Sequence, residues 1–428
     1  MLHRTIPPPR APRCARSPHR SRAGYAPRQP PLKRGSDPTE VECSSLGGPL
    51  PMSAPAPDIC RRFATLQSDP DAVVAALADQ LDRDAQLTVV FVSPRYDLAA
   101  LGPRLRELSS GDVIACTTAG EIGANGFQHG GLVAMSLKSP LIHAETWSFD
   151  VASGADVGRV AAAVDRQLLA MPSDQQAAGI LLIDGLSRHE EHAVAALYAH
   201  LGELPIVGGS AGDDLAFAST AVLDGDTFRS GRATLTLLRT SLPLTAFKFQ
   251  HHAATAKRLV VTAANPDARM IMELDGYPAA EGYAAVLGVD VAELRRRPEL
   301  IARHPLMLRV GPEHFVRSVR TIDAHGHLQL YCAIDRGAVL TIGETRDMVP
   351  GLRDRLEALH RRGPIAALLT FDCVLRRLEM EEAGVDETVG GLLSAAGAVG
   401  FSTYGEQFAA LHVNQTLVGL ALGMPEHG

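Results

Sequence analysis

This chain has little cysteine, little sustained apolar sequence and no excess of positive charge. Its six cysteines, at 14, 43, 60, 116, 332 and 373 of 428 residues, form no CxxC pair and no regular spacing. That argues against a disulfide scaffold and against a structural zinc site, and it fits a reducing, cytoplasmic compartment. The uncharged run 388–405 is interrupted by Gly390, Gly391, Gly397, Gly400 and Gly405. It reads as a helix end, a turn and a buried strand, not as a membrane span. Lys and Arg number 41 against 48 Asp and Glu, a net charge of −7. Residues 1–51 hold eight Arg and one Lys against three acids, a net of +6, which leaves −13 on the rest. An acidic body repels phosphate backbones and disfavours nucleic acid as a partner. Walker, GxSxG, HExxH and kinase signatures are all missing. Gly208-Gly209-Ser210-Ala211-Gly212 is glycine-rich, but Asp213-Asp214 follow it where a phosphate loop needs Lys-Ser or Lys-Thr.

What is present is an ordinary globular composition, 46% hydrophobic, long enough for two or three domains. Residues 1–51 stand apart, with eleven prolines and no apolar period. They cannot bury enough surface to offset their ordering entropy, so a disordered basic leader is expected. Met52 follows, with ordered-looking sequence just beyond it, so the leader reads as either an upstream mis-assigned start or a disordered tail.

Beyond the leader, one order of elements occurs three times: apolar strand, helix, small-residue strand ending in Gly-acid, return strand. The first copy runs LTVVFVSP (87–94), a helix over 98–108, DVIACTTAGEI (112–122) and GLVAMSL (131–137). The second runs 178–186, 189–202, 205–215 and 231–238; the third runs 365–373, a helix from Val374, 398–408 and 414–422. Matching the Gly-acid steps aligns Thr118-Ala119-Gly120-Glu121 with Ser210-Ala211-Gly212-Asp213 and Thr403-Tyr404-Gly405-Glu406. Each glycine is expected to supply positive φ or a close approach at its turn. Short apolar runs alternating with helices predict an α/β (α+β) fold of mixed sheets covered by helices. The stretch 241–362 has a different character and separates the second and third copies. The expected modules are 52–245 and 246–428.

Several residues carry chemistry. Cys373 sits at a strand-to-helix junction, where α/β sheets bind ligands, with Asp372 as a natural N-cap and Arg376 one turn on. Cys116 and Cys332 read as core cysteines. His189 and His192, at i and i+3 around Glu190 and Glu191, have a spacing that can hold a metal, though an acidic, exposed helix start is the commoner meaning. Tyr404, Glu406, His412, Asn414 and Thr416 fall within thirteen residues, either as a cross-strand network or as a pocket wall. His251 and His412 lie beside apolar strands, at a module edge and in a hairpin.

CTTAGEI (116–122), VGGSAGDD (207–214), LDGYPAAEGY (274–283), HPLMLRVG (304–311), FDCVLRRLE (371–379) and GFSTYGEQ…HVNQT (400–416) together resemble the FIST family. The likeness covers nearly all of 60–425 and implies an N-terminal and a C-terminal FIST module in tandem. It implies an intracellular ligand sensor in signal transduction, a binding protein and not an enzyme. SPRYDL (93–98) and HVNQT are similar to the family's haem-binding nitric-oxide sensors, which act on a histidine kinase. On that reading non-covalent haem b is the cofactor, since CxxCH is missing, with His251 or His412 as axial ligand and no other metal. The alternative is a sensor of a small metabolite such as an amino acid, held by Arg376, Glu406 and the TTAGE loop (117–121); the pocket candidates are Thr118, Glu121, Cys373, Arg376, Tyr404, Glu406 and Asn414. A thiol enzyme using Cys373 is a third reading. A chain starting at Met52 is expected to unfold at the same temperature as the full chain; a drop of several degrees would mean that the leader packs on the body.

Overall fold

Three passages of the chain fold on one plan, and the computed structural model describes them within residues 59–202, 204–409 and 411–425. The leader expected to be disordered, and the start at Met52, lie outside the described residues. The first passage is β1 (Cys60–Thr65), α1 (Pro70–Gln80), β2 (Leu87–Val92), α2 (Leu98–Arg106), β3 (Asp112–Thr117), the hairpin β4 (Glu121–Gly123) and β5 (Gly126–Gln128), and β6 (Leu132–Leu137). The second is β7 (Ile142–Asp150), α3 (Gly154–Leu169), β8 (Gln176–Ile183), α4 (Glu190–Leu201), β9 (Ile206–Ser210), the hairpin β10 (Val222–Asp224) and β11 (Thr227–Arg229), and β12 (Arg232–Thr240). The third opens with β13 (Leu244–Phe249) and is then interrupted. The interruption holds β14 (His252–Asn265), β15 (Met270–Leu274), β16 (Tyr277–Pro278), α5 (Ala279–Leu287), α6 (Val291–Arg296), α7 (Pro298–Arg303), β17 (Leu306–Val310), β18 (Glu313–Arg317), β19 (Val319–Ile322), β20 (Leu328–Leu330) and β21 (Val339–Thr345). The third passage resumes with α8 (Met348–His360), β22 (Ile365–Cys373), α9 (Val374–Ala383), α10 (Asp386–Ala395), β23 (Ala398–Thr403), the hairpin β24 (Glu406–Phe408) and β25 (Leu411–Val413), and β26 (Leu417–Gly423). The divergent stretch read from sequence as 241–362 is therefore an insertion, 252–345, set between the first strand and first helix of the third repeat.

Pairing ties the repeats into a ring. The three sheets run β1-β6-β2-β3-β10-β11, β7-β12-β8-β9-β24-β25 and β13-β26-β22-β23-β4-β5. In each, the second and third strands of a repeat pair in parallel and the return strand pairs antiparallel. The far edge is then closed by another repeat's hairpin. The second repeat closes the first, the third closes the second and the first closes the third. The insertion builds its own antiparallel sheet, β18-β17-β21-β14-β15-β20-β19, over a separate core around Tyr283.

Apolar faces explain the layers. The three ring sheets turn one face to a shared core that contains Phe91, Phe371 and Phe401, with ring centroids 4.6 to 6.0 Å apart. Helices α1 and α2 cover the outer face of the first sheet, α3 and α4 the second, α8 and α10 the third. Strands so enclosed are apolar on both faces, as LTVVFV (87–92) is. Helix starts are capped locally: Asp69 accepts from Asp71 N and Ala72 N ahead of α1, and Ser153 from Asp156 N ahead of α3. Among the described residues no helix is long and apolar enough to cross a membrane.

The repeated turns correct the alignment read from sequence. Ala119 N donates to Ser402 O, Tyr404 N to Ser210 O and Gly212 N to Thr117 O, at 3.0, 3.1 and 3.0 Å. These equivalent bonds align Gly212 with Ala119 and Tyr404, one place off Gly120 and Gly405. Only Gly120 of the three has positive φ, +121°. Close approach accounts for the other two. A Cβ on Gly212 would lie 2.7 Å from Ala119 N, and one on Gly405 2.2 Å from His412 Cε1. Gly212→Ala should therefore lower stability by about 1–3 kcal/mol in denaturant melts. Gly158→Ala, in α3 with nothing within 4 Å of its Cβ, should raise it by about 0.4–1 kcal/mol.

Candidate functional site

The turns that join the repeats also carry carboxylates inward. Thr118 Oγ1 donates to Glu121 Oε1 at 2.5 Å and Gly131 N to Oε2 at 3.0 Å. In the third repeat Thr403 Oγ1 donates to Glu406 Oε1, and Thr416 N and Oγ1 to Oε2. Both carboxyls are fully buried, and burial outweighs these donors. Glu121 is pushed up to about 7 and Glu406 to about 8. In the second repeat Asp184 takes this place, accepting from Gly231 N, Leu186 N and Thr220 Oγ1. Thr118, Glu121 and Glu406 thus brace hairpins, away from the cavity that Tyr404 lines.

A second buried network surrounds Arg376. Asp372 does not cap α9; its Oδ1 accepts Arg376 Nε at 2.6 Å, with both side chains fully buried. Arg376 Nη1 donates to His251 Nδ1 at 2.8 Å, so the proton of that imidazole sits on Nε2, 2.9 Å from Glu379 Oε2. Burial, aided by Arg376, holds His251 well below the usual imidazole range. Cys373 is fully buried and burial pushes its thiol well up, the reverse of an activated nucleophile. His412 is enclosed, its Nδ1 3.3 Å from Gln407 Nε2, and burial lowers it to about 4. Asn414 accepts from Cys332 Sγ. An axial haem ligand needs a free imidazole nitrogen facing an apolar cavity. His251 uses both nitrogens and His412 is packed among Glu191, Cys332 and Gln407, so these residues do not fit haem.

Of the residues expected at a pocket, Tyr404 alone reaches a cavity walled by ring and insertion. It has a volume of about 380 Å³ and opens where strand ends of the ring meet the insertion. Gly185 and Arg188 follow β8, Phe217 follows β9, and Tyr404 follows β23; Arg269, Arg320 and Tyr331 come from the insertion. This is the carboxyl end of parallel strands, where open α/β sheets take ligands. Phe217 stacks on Tyr404 with centroids 4.7 Å apart, and the Arg320 guanidinium lies 5.4 Å from the Phe217 centroid. Asp213 shapes the loop by accepting from Phe217 N, Ala218 N, Ser219 N and the Tyr404 hydroxyl. Among the described residues, five of the eight non-glycine residues with left-handed backbone are here: Arg188, Asp214, Leu215, Phe217 and Arg269. Each such residue costs of order 1–3 kcal/mol, and such strain gathers at ligand clamps.

The acidic start of α4, expected to be solvated, is instead drawn inward. Arg269 Nη2 donates to Glu190 Oε2 at 2.6 Å and Glu191 Oε2 at 2.7 Å, and Arg269 Nη1 to Tyr331 O at 2.8 Å. Burial pushes Glu190 up to about 7 against the pull of Arg269. Arg188 and Arg320 form no ion pair among the described residues, so two guanidiniums face the cavity uncommitted. Sequence reasoning missed Arg188, Glu190, Phe217, Arg269 and Arg320. The one signal was the small-residue run 208–214 after a buried strand, read as a repeated turn and dismissed as a phosphate site.

Residues 86–277 match the FIST N domain and residues 279–409 the FIST C domain. The chain belongs to the FIST family, whose domains are sensory domains of signal transduction. The seam between the two matches falls inside the insertion. The comparison with curated proteins returns no match.

The buried carboxyls set a pH dependence. A carboxyl raised in the folded state binds more protons than in the unfolded chain, so its stabilisation is complete below about 4.5 and is lost as pH rises through 7 to 8. Wild-type stability should fall between pH 5 and 8, and Glu406→Gln should flatten that fall by about 1 kcal/mol or more. Parallel urea-melt profiles for the two proteins would contradict the assignment.

Proposed function

We propose that this chain senses a small α-amino acid or a similar amino-carboxylate, bound in the cavity between the ring and the insertion. The observation that carries this reading is the pairing of two uncommitted guanidiniums, Arg188 and Arg320, with a stacked aromatic floor and the carboxylate of Glu190. A guanidinium offers a planar fork to a carboxylate. Phe217 offers a face for a side chain, and Glu190, already paired with Arg269, adds a polar carboxyl to the wall. A volume of about 380 Å³ suits a small metabolite.

A ligand held by both the ring and the insertion changes how the two fit together, and a partner reads that change. A histidine kinase is the partner class the family resemblance implies, with a cytoplasmic location. Haem with nitric oxide is the other reading the resemblance implies. It has less support, because no histidine lines this cavity and His251 and His412 are both engaged elsewhere.

The test is thermal unfolding of the full chain against common α-amino acids, their α-keto acid counterparts and haem. A ligand that binds only the native state stabilises it by about 2.7 kcal/mol at a hundredfold excess over Kd. At least one amino acid should raise the melting temperature, and Arg320→Ala and Phe217→Ala should each abolish the rise. A rise retained in both variants rejects this cavity. A Soret band with no response to amino acids restores the haem reading.

A further inference from the structure

Three donors of different chemistry meet beneath one wall of the cavity. Glu191 comes from the first turn of α4, Cys332 from the segment after β20, and His412 from β25. Their ligating atoms all lie within 4.8 Å of one another. Cys332 and His412 are 1% and 3% exposed, so the thiol and imidazole are held away from solvent. These donors belong to the second repeat, the insertion and the third repeat, and they converge only because the hairpin β24–β25 crosses onto the second repeat's sheet. No CxxC or paired-histidine spacing announces such a site.

We propose that Glu191, Cys332 and His412 bind one divalent metal ion of the zinc class. The donor set selects the ion. Thiolate and imidazole suit zinc and its neighbours, whereas magnesium and calcium call for oxygen alone. Around a tetrahedral zinc with bonds of 2.0–2.3 Å the donors stand about 3.5 Å apart, so these side chains need only draw in by about 1 Å. Charge also balances. Arg269 offsets Glu190, which leaves the Glu191 carboxylate and a Cys332 thiolate against a dication.

The surroundings fit a ligated sulfur. A metal on His412 Nε2 puts the ring proton on Nδ1, and the Gln407 amide 3.3 Å away, whose oxygen has no partner among the described residues, turns over to accept it. Glu191 Oε1 accepts from Ala333 N at 2.8 Å, beside Cys332. Asn414, fully buried, spends its oxygen on the Cys332 thiol and leaves its Nδ2 without a partner among the described residues. A thiolate accepts hydrogen bonds, so turning that amide over gives the nitrogen the sulfur. The atom left unpartnered is then a carbonyl oxygen, the less costly of the two. The ligands adjoin cavity residues in sequence: Glu190 precedes Glu191 and Tyr331 precedes Cys332. Metal there fastens the insertion to the ring at the cavity wall, whatever the cavity binds.

The experiment strips the purified full chain with a chelator and refills it with cobalt(II), then with zinc. The expected result is one equivalent of metal, visible bands of tetrahedral cobalt with a thiolate-to-cobalt charge-transfer band, and displacement of both by zinc. Cys332→Ser should lose the charge-transfer band. Glu191→Gln, a partly exposed position, should keep the fold by circular dichroism and weaken zinc binding about tenfold or more. No uptake by the wild type overturns the proposal. So does an unchanged cobalt spectrum in Cys332→Ser, or, if that variant does not fold, unchanged zinc affinity in Glu191→Gln. None of these readouts uses the cavity ligand, so failure here is separate from failure of the amino-acid reading.

Discussion

Each ring sheet depends on a strand it does not own. A repeat supplies an edge strand, a return strand and two parallel strands, and then exposes the N–H and C=O groups of its second strand. Unpaired groups at a sheet edge are costly when buried and sticky when exposed. Here each such edge is covered by the hairpin of another repeat, and three successive loans close a ring. The consequence reaches the core, since the faces that meet at Phe91, Phe371 and Phe401 face one another only after the ring closes.

The same loans decide where polar groups are buried. Glu121 and Glu406 sit at the roots of lent hairpins and accept bonds from the chain just before their own return strands. Both stay braced inside the protein, and burial sets their protonation. At the second repeat the brace is Asp184, and Asp213, in the place of Gly120 and Gly405, shapes the loop that carries Phe217. One repeat in three therefore departs from the pattern, and the departure is where the cavity opens. The insertion walls the cavity's other side with Arg269, Arg320 and Tyr331, so ring and insertion are each incomplete as a binding site.

Much of the ring was legible in sequence because buried strands leave apolar runs and helices leave periodic ones. The strands at 87, 178 and 365 and the helices after them stand where the pattern put them. The edge strands β1, β7 and β13 and the helices that follow them were not read as parts of the repeat. In the third repeat 252–345 separates that strand from its helix and hides the likeness. The turn alignment slipped by one residue because glycine was matched to glycine. The hydrogen bonds put Gly212 where the other repeats have Ala119 and Tyr404, and at Gly212 the glycine serves a close approach to Ala119 instead of positive φ. Among site residues Tyr404 was read and reaches the cavity, while Arg376, Cys373 and Glu406 looked equally promising and are buried in pairs and networks.

What the amino-acid sequence by itself determined was local and periodic: three strand–helix units, an acidic body, no sustained apolar span and the family to which these segments belong. Tertiary structure alone decided which hairpin completes which sheet, which charged residues face water and which face one another. Glu190 and Glu191 show the reason. In sequence they are an ordinary acidic helix start, and only a guanidinium arriving from Arg269, 79 and 78 positions away, turns them inward. Such encounters depend on how separate segments pack in space, and no local pattern encodes them.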